Sequence, residues 1–259
     1  MSQRAVEVEG GVIAVEERHG GDSVPVLFLH GVNSAGSVWS DVLTVLEPHR
    51  PVAAVDLRGH AGSTREGPFG RSRQVTDLTA VLDALGWSSA HLVGSTFCGG
   101  LALALAAEAG QRARSVTVLG TELEPAPALL DQVLPTVRRL GPEKFFTTTG
   151  PEWTFGPAPD PRWVAEADRI AADNTTDVHT ELMRVAFTED FRYTPDKLRC
   201  PVLGARGTHD RTCPAEAAAG TAAAFGTEVR QIAGAGHLPM VERPEDVVEL
   251  VERFIGGVS

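Results

Sequence analysis

The sequence predicts an α/β fold: a mostly parallel central sheet, helices on both of its faces, and an inserted helical cap. Three observations carry this reading. Short apolar runs alternate with helix-spaced amphipathic stretches from residue 26 to 120 and again from 200 onward, as in parallel strands joined by crossover helices. One junction, Leu92 to Glu108 (LVGSTFCGGLALALAAE), passes from a strand through a sharp turn into an Ala/Leu-rich helix. From residue 121 to 195 the alternation stops, and Pro, Thr and aromatic residues take over. The expected division is a core of residues 1–120 and 196–259, with 121–195 as the cap.

In chain order, RAVEVE and VIAVEE alternate around Gly10-Gly11, which predicts a β-hairpin over 4–17 with that pair as its turn. VPVLFLH, ending at His30, reads as a buried strand, and Val38, Val42, Val45 and Leu46 mark the helix after it. PVAAVD, ending at Asp56, is the next strand. Val75, Leu78, Leu82 and Leu85 recur at helical spacing. AHLVG leads into the sharp junction, and SVTVLG follows its helix. Within 121–195, helices are expected near Ala128–Leu140 and Val164–Ala172. CPVLGAR resumes the sheet, followed by a helix over Ala215–Phe225, the strand TEVRQI and a last helix from Pro244. Proline fits that helix start because its missing N–H costs nothing there.

The length, 259 residues, suits one large α/β domain with an insertion. A net charge of −11 argues against nucleic acid or an anionic membrane as partner. No apolar run approaches the ~18 residues of a membrane span, and no basic-then-apolar leader is read. Cys98, Cys200 and Cys213 are odd in number and lack metal-ligand spacing, which points to a reducing cytoplasm and to no metal. A homodimer stays open.

The junction at Gly94 decides the chemistry. In the pattern G-x-S-x-G the nucleophile is the middle residue, held on a strained strand-to-helix turn. Counted from Gly94, that residue is Thr96, and Cys98 stands where the second glycine is expected. Centring on Ser95 would require glycine at Val93 and Phe97, and centring on Phe97 leaves no nucleophile. Centring on Thr96 places Gly99, Gly100, Ala102, Ala104 and Ala106 where the helix must approach the sheet. Cys98 is then expected to pack against the sheet rather than to act as a nucleophile, and Cys200 and Cys213 to be small apolar residues.

Four motifs, in order, resemble the α/β-hydrolase superfamily over nearly the whole chain. HGVNSAGSVW (His30 to Trp39) is similar to that family's oxyanion loop, and DLRGHAGS (Asp56 to Ser63) to the loop after its next strand. VGSTFCGG is similar to its elbow. RGTHDRTCP and GAGHLPMVERPEDV are similar to its acid and histidine segments. The resemblance implies an α/β-hydrolase fold with a helical cap after the sixth strand. It implies a triad of Thr96, Asp210 and His237, in the chain order nucleophile, acid, base. It also implies an oxyanion hole built from the backbone N–H groups of Val32 and Phe97. Asp210 follows a strand, at the carboxyl edge where open α/β sheets bind ligands, and His237 follows a flexible Gly-Ala-Gly loop.

His30 and His60 read first as structural hydrogen-bonders, and His209 as pointing away from the site. His30, Asn33, Trp153 and Phe187 are the candidate substrate contacts, with Ser34 also within reach of the loop. Phe145, Phe146, Trp153, Phe155, Trp163, Phe187, Phe191 and Tyr193 give the cap an aromatic character that suits an apolar ligand or the cap's own core. The implied activity is hydrolysis of an ester, lactone, thioester or activated C–C bond in a small hydrophobic substrate, with no cofactor. Thr96 leaves three readings open. It is an acyl-forming nucleophile, or a hydrogen-bond donor in a lyase, cyclase or isomerase with His237 as base, or part of a non-catalytic ligand-binding relative. A β-branched residue at positive φ costs about 1–3 kcal/mol, so its presence here needs a reason.

Overall fold

The structure, a computed structural model, describes residues 2–258. Its eight strands are β1 (Ser2–Val8), β2 (Gly11–Arg18), β3 (Val26–Leu29), β4 (Val52–Val55), β5 (Ala90–Ser95), β6 (Ala113–Leu119), β7 (Val202–Gly207) and β8 (Arg230–Ile232). They form one sheet in the order β1-β2-β4-β3-β5-β6-β7-β8. β2 pairs antiparallel with β1 and with β4, and every pairing from β4 to β8 is parallel. The hairpin turn is Glu9-Gly10, not Gly10-Gly11, because Val8 pairs with Gly11 and Gly10 carries the positive φ of 75°. The TEVRQI strand is shorter than expected and begins only at Arg230.

The outer helices follow from the two-sided burial of these strands. Alternate residues of β3 face opposite ways: Leu27 and Leu29 join one apolar layer, Val26 and Phe28 the other. On the second face lie α1 (Ser40–Leu46), through Val42, Leu43 and Leu46, and the C-terminal helix, through Val247, Val251 and Ile255. On the first lie α2 (Arg71–Ala84), through Val75, Leu78 and Leu82, and α3 (Phe97–Ala109), through Leu101, Leu103 and Leu105. α3 is buried along most of its length, so its alanines and glycines are what allow it close to β5 and β6.

Between β6 and β7 the chain makes four longer helices and one short one: α4 (Pro127–Leu140), α5 (Pro142–Thr154), α6 (Pro161–Ala172), α7 (Thr176–Thr188) and α8 (Thr194–Lys197). Proline opens α4, α5 and α6, Asp160 caps α6 and Thr175 caps α7. Leu130, Leu134, Val137 and Met183 form this insertion's own small core, with Val133, Phe145 and Phe187 packed on it. The chain then continues through β7, α9 (Ala215–Ala224), β8, α10 (Pro239–Glu242) and the C-terminal α11 (Pro244–Gly256). No helix among the described residues is long and apolar enough to cross a membrane.

Four buried histidines make this packing acid-sensitive. Burial pulls the pKa of His30 down to about 4, of His60 to about 3, of His91 to about 4 and of His179 to about 4. An unfolded histidine titrates near 6.5. Below that pH the unfolded chain takes up protons that the folded chain refuses. Stability is therefore complete above about pH 6.5 and is lost as pH falls toward the folded values, by about 2 kcal/mol per imidazole at pH 5. Urea midpoints should fall steeply from pH 7 to pH 5, with roughly three to four protons taken up on unfolding near pH 5. His179→Phe should remove about one of those protons. A midpoint that ignores pH over this range would exclude buried neutral imidazoles.

Candidate active site

Thr96 sits between β5 and α3 at φ 57° and ψ −135°. The strain of a β-branched residue in that region is held by its backbone partners. Its N–H donates to the Leu119 carbonyl at 2.8 Å, and its own carbonyl accepts from Gly99 N–H and Thr121 Oγ1, each at 3.0 Å. The elbow is therefore bolted to the end of β6. The side chain of Thr96 lies against Gly31: a Cβ on Gly31 would fall 2.4 Å from Thr96 Oγ1, so only glycine fits there. Phe97 opens α3, where helix geometry leaves its N–H without an intrahelical partner. Val32, one residue beyond Gly31, packs its side chain on the insertion's apolar core. Thr96 is thus flanked by the two segments that carry the Val32 and Phe97 N–H groups.

Asp210 lies just beyond β7 and His237 beyond β8, both at the carboxyl edge of the sheet and both buried. His237 Nδ1 is 3.0 Å from each Asp210 carboxylate oxygen. An ionised carboxylate only accepts, so Nδ1 carries the proton and Nε2 is left as the basic nitrogen. Asp210 Oδ1 also accepts from the N–H groups of Thr212 and Cys213 at 2.9 Å each. Burial pushes the Asp210 carboxyl pKa up, but His237 and these two N–H donors outweigh it, and the net shift is downward. Among the described residues, no hydrogen bond joins Thr96 Oγ1 to His237, whose side-chain bonds run from Nδ1 to Asp210.

The other candidates divide. His30, expected among the substrate contacts, is occupied inside the protein. Its ring is fully buried, Nε2 accepts from Leu57 N–H at 3.0 Å, and Nδ1 donates to the Gly31 carbonyl at 2.7 Å. Both nitrogens are spent holding the loop that carries Gly31. Asn33 has φ 54°, which asparagine tolerates, and lines a cavity of about 10 Å³ with Ser34, His60, Ala61 and Asn174. Phe187 belongs to the apolar cluster that includes Val32. Trp153 is 54% exposed near the end of α5. Phe155 and Trp163 pack into the sheet's second apolar layer, and Phe191 packs beneath α3 against Phe97. His209 is exposed. Cys98 is buried, and burial raises its thiol pKa, which removes the thiolate a nucleophile needs.

Two residues escape sequence reasoning. Gly120, at φ 56°, follows β6 and lies against the Asp210–His237 pair. A Cβ there would lie 2.7 Å from Asp210 Oδ2 and 3.2 Å from His237 Nδ1. Glu242 reaches the loop before His237 and accepts a hydrogen bond from Gly236 N–H at 2.7 Å. A glycine after a strand and a glutamate at the end of a short helix are common features, and neither advertises a distant partner.

A mostly parallel sheet with a positive-φ elbow after β5, an acid after β7 and a histidine after β8 defines the α/β-hydrolase class. The chain belongs to the alpha/beta hydrolase family, whose profile matches residues 26–250. It is 26% identical, over 97% of its length and 94% of the relative's, to the RutD protein of Caulobacter vibrioides, whose name proposes a carbamate hydrolase. It is 34% identical to the 2-hydroxymuconate semialdehyde hydrolase of Pseudomonas sp. CF600, over 39% of this chain and 38% of that one. Among solved structures, the enol-lactonase of Burkholderia xenovorans LB400 superposes with a TM-score of 0.87 at 20% identity, covering 98% of this chain and 100% of that one.

Proposed function

We propose that this protein is a cofactor-independent hydrolase of an ester, lactone, thioester or activated C–C bond in a small hydrophobic substrate, through Thr96, His237 and Asp210. The observation that carries the reading is the buried Asp210–His237 pair, with Nδ1 at 3.0 Å from both oxygens, at the sheet edge that also holds Thr96. Such a pair fixes the tautomer of a base and stabilises its protonated form. The names of the RutD and semialdehyde-hydrolase relatives support hydrolytic chemistry.

In this mechanism His237 Nε2 takes the Thr96 Oγ1 proton as Oγ1 bonds to the substrate carbonyl carbon. The carbonyl electron pair moves onto oxygen, where the N–H groups of Val32 and Phe97 receive it. Collapse breaks the bond to the leaving group, which takes the proton back from the imidazolium. Water then attacks the acyl-threonine by the same route, releases the acid and restores Thr96. The insertion serves as the cap: Met183 and Phe187 share an apolar cluster with Val32, which supports an apolar acyl group beside the oxyanion.

One observation favours a second reading. Thr96 Oγ1 rests against Gly31 and makes no hydrogen bond to His237 among the described residues. That placement also suits a hydroxyl that only donates to substrate, with His237 as the base of a lyase, cyclase or isomerase. A fluorophosphonate probe separates the two. A covalent adduct mapped to Thr96 by mass spectrometry, and lost in Thr96→Ala, supports hydrolysis. No adduct, together with turnover in a substrate screen, supports the second reading. His237→Ala should keep the fold and lose about 10²–10⁴-fold in kcat, the usual contribution of a positioned base. Full activity in folded His237→Ala would remove His237 from the mechanism.

A further inference from the structure

The loop that carries His237 has little stiffness of its own. Gly234-Ala235-Gly236 loses more backbone freedom on ordering than most sequences, so the position of the histidine must be imposed from outside. Four hydrogen bonds impose it. Two come from the segment after β7: Gly234 N–H donates to Thr208 Oγ1 at 2.9 Å, and the Ala235 carbonyl accepts from His209 N–H at 2.9 Å. The other two come from elsewhere. His237 N–H donates to the Thr154 carbonyl at 2.8 Å, at the end of α5 in the insertion. Gly236 N–H donates to Glu242 Oε2 at 2.7 Å.

Glu242 does not stop at that loop. Its other oxygen, Oε1, accepts from Gly156 N–H at 2.7 Å, two residues beyond Thr154. One carboxylate therefore joins the strap 154–156 to the residue immediately before His237. The contact is close on both sides. A Cβ on Gly236 would lie 2.5 Å from the Phe155 carbonyl carbon, and a Cβ on Gly156 would lie 2.5 Å from the Gly234 carbonyl oxygen. The strap and the helix that carries the carboxylate are both anchored: Phe155 is buried in the sheet's second apolar layer, and Met240 and Val241 bury the short helix α10 that ends at Glu242. Burial raises the Glu242 pKa above the usual carboxylate range, and the two N–H donors oppose that shift without cancelling it. Hydrogen bonds to an ionised acceptor are roughly twice as strong as neutral ones.

We propose that Glu242 is a positioning residue for His237, clasping the strap that leaves α5 to the histidine loop, so that the base is in place only when the insertion is docked. The proposal rests on the hydrolase reading for its kinetic consequence, but not for its structural one.

The test uses Glu242→Gln, which keeps the shape and one acceptor oxygen, and Glu242→Ala, which removes both. Hydrolysis of a p-nitrophenyl ester and amide hydrogen exchange are measured on each full-length variant. Glu242→Ala should lower kcat roughly 100-fold with KM little changed, the scale of a slightly misplaced catalytic group, and Glu242→Gln should fall between it and the parent. The Gly156, Gly236 and His237 amides should exchange faster in both variants, while amides of β5 and β6 stay protected. A merely structural glutamate would lower the melting temperature and leave the kcat of the folded fraction intact, and that result overturns the proposal. So does unchanged exchange at Gly156 and Gly236. If Glu242→Ala does not fold, Glu242→Gln decides alone. If the parent protein hydrolyses no ester, the hydrolase reading fails, and the exchange measurement still decides whether the clasp exists.

Discussion

Gly120→Ala should silence the enzyme in a folded protein. The new Cβ would sit 2.7 Å from Asp210 Oδ2 and 3.2 Å from His237 Nδ1, the two groups that the proposed mechanism keeps in contact. Asp210 cannot yield easily, because Thr212 and Cys213 N–H groups hold its other oxygen. His237 is the freer partner, so the bond between them should lengthen and the imidazole lose its orientation. The expected loss is about 10²–10⁴-fold in kcat. Part of any effect would come from placing an alanine at φ 56°, which costs about 1–2 kcal/mol of stability in its own right. Gly86→Ala is the control. Gly86 has φ 71° with nothing within 4 Å of its would-be Cβ, so it should lose comparable stability and keep its activity. Full turnover in folded Gly120→Ala would mean that Asp210 and His237 do not work as a pair.

That glycine also marks where the sequence stops being legible. Strands β3, β4, β5, β6 and β7 were readable because burial on both faces demands continuous apolar runs, which few other structures tolerate. Helix α2 shows its 3.6-residue period because one of its faces meets solvent, and α11 is marked by the proline that opens it. α5 was hidden. Its Phe-Phe-Thr-Thr-Thr-Gly-Pro run has poor helix propensity and a proline inside, and it forms through packing on α4 and α6. α7 is hidden too, because the face it buries mixes the polar His179 and Thr180 with Leu182 and Met183. Thr96, Asp210 and His237 stood out because each lies in a motif read locally. Gly120 and Glu242 act through contacts with Asp210 and Gly156, which lie 90 and 86 residues away in the chain, and no local pattern encodes such contacts. The Gly10-Gly11 pair predicts a hairpin turn one residue later than the observed Glu9-Gly10, because two adjacent glycines hide which of them turns.

The change at Thr96 should discriminate most sharply among mechanisms. Thr96→Ala removes the hydroxyl and should abolish the covalent adduct with a fluorophosphonate, and with it all but the background of hydrolysis. Thr96→Ser keeps the hydroxyl and removes Cγ2, which lies 3.0 Å from the position a Cβ on Gly31 would occupy. Two consequences follow. Serine tolerates φ 57° better than a β-branched residue, so stability should rise by part of the ~1–3 kcal/mol stored at the elbow. The hydroxyl also gains rotamer freedom, because serine lacks the second substituent on Cβ. If Thr96 is the nucleophile, ester hydrolysis by Thr96→Ser should equal or exceed that of the parent. If the hydroxyl only donates a hydrogen bond, Thr96→Ser should gain esterase activity while turnover of the native substrate falls, because the methyl that disfavours acyl-enzyme formation is gone. Calorimetry, probe labelling and turnover on the same three proteins separate these outcomes. Parental turnover of the native substrate by Thr96→Ala would falsify a nucleophilic threonine, whatever the serine variant does.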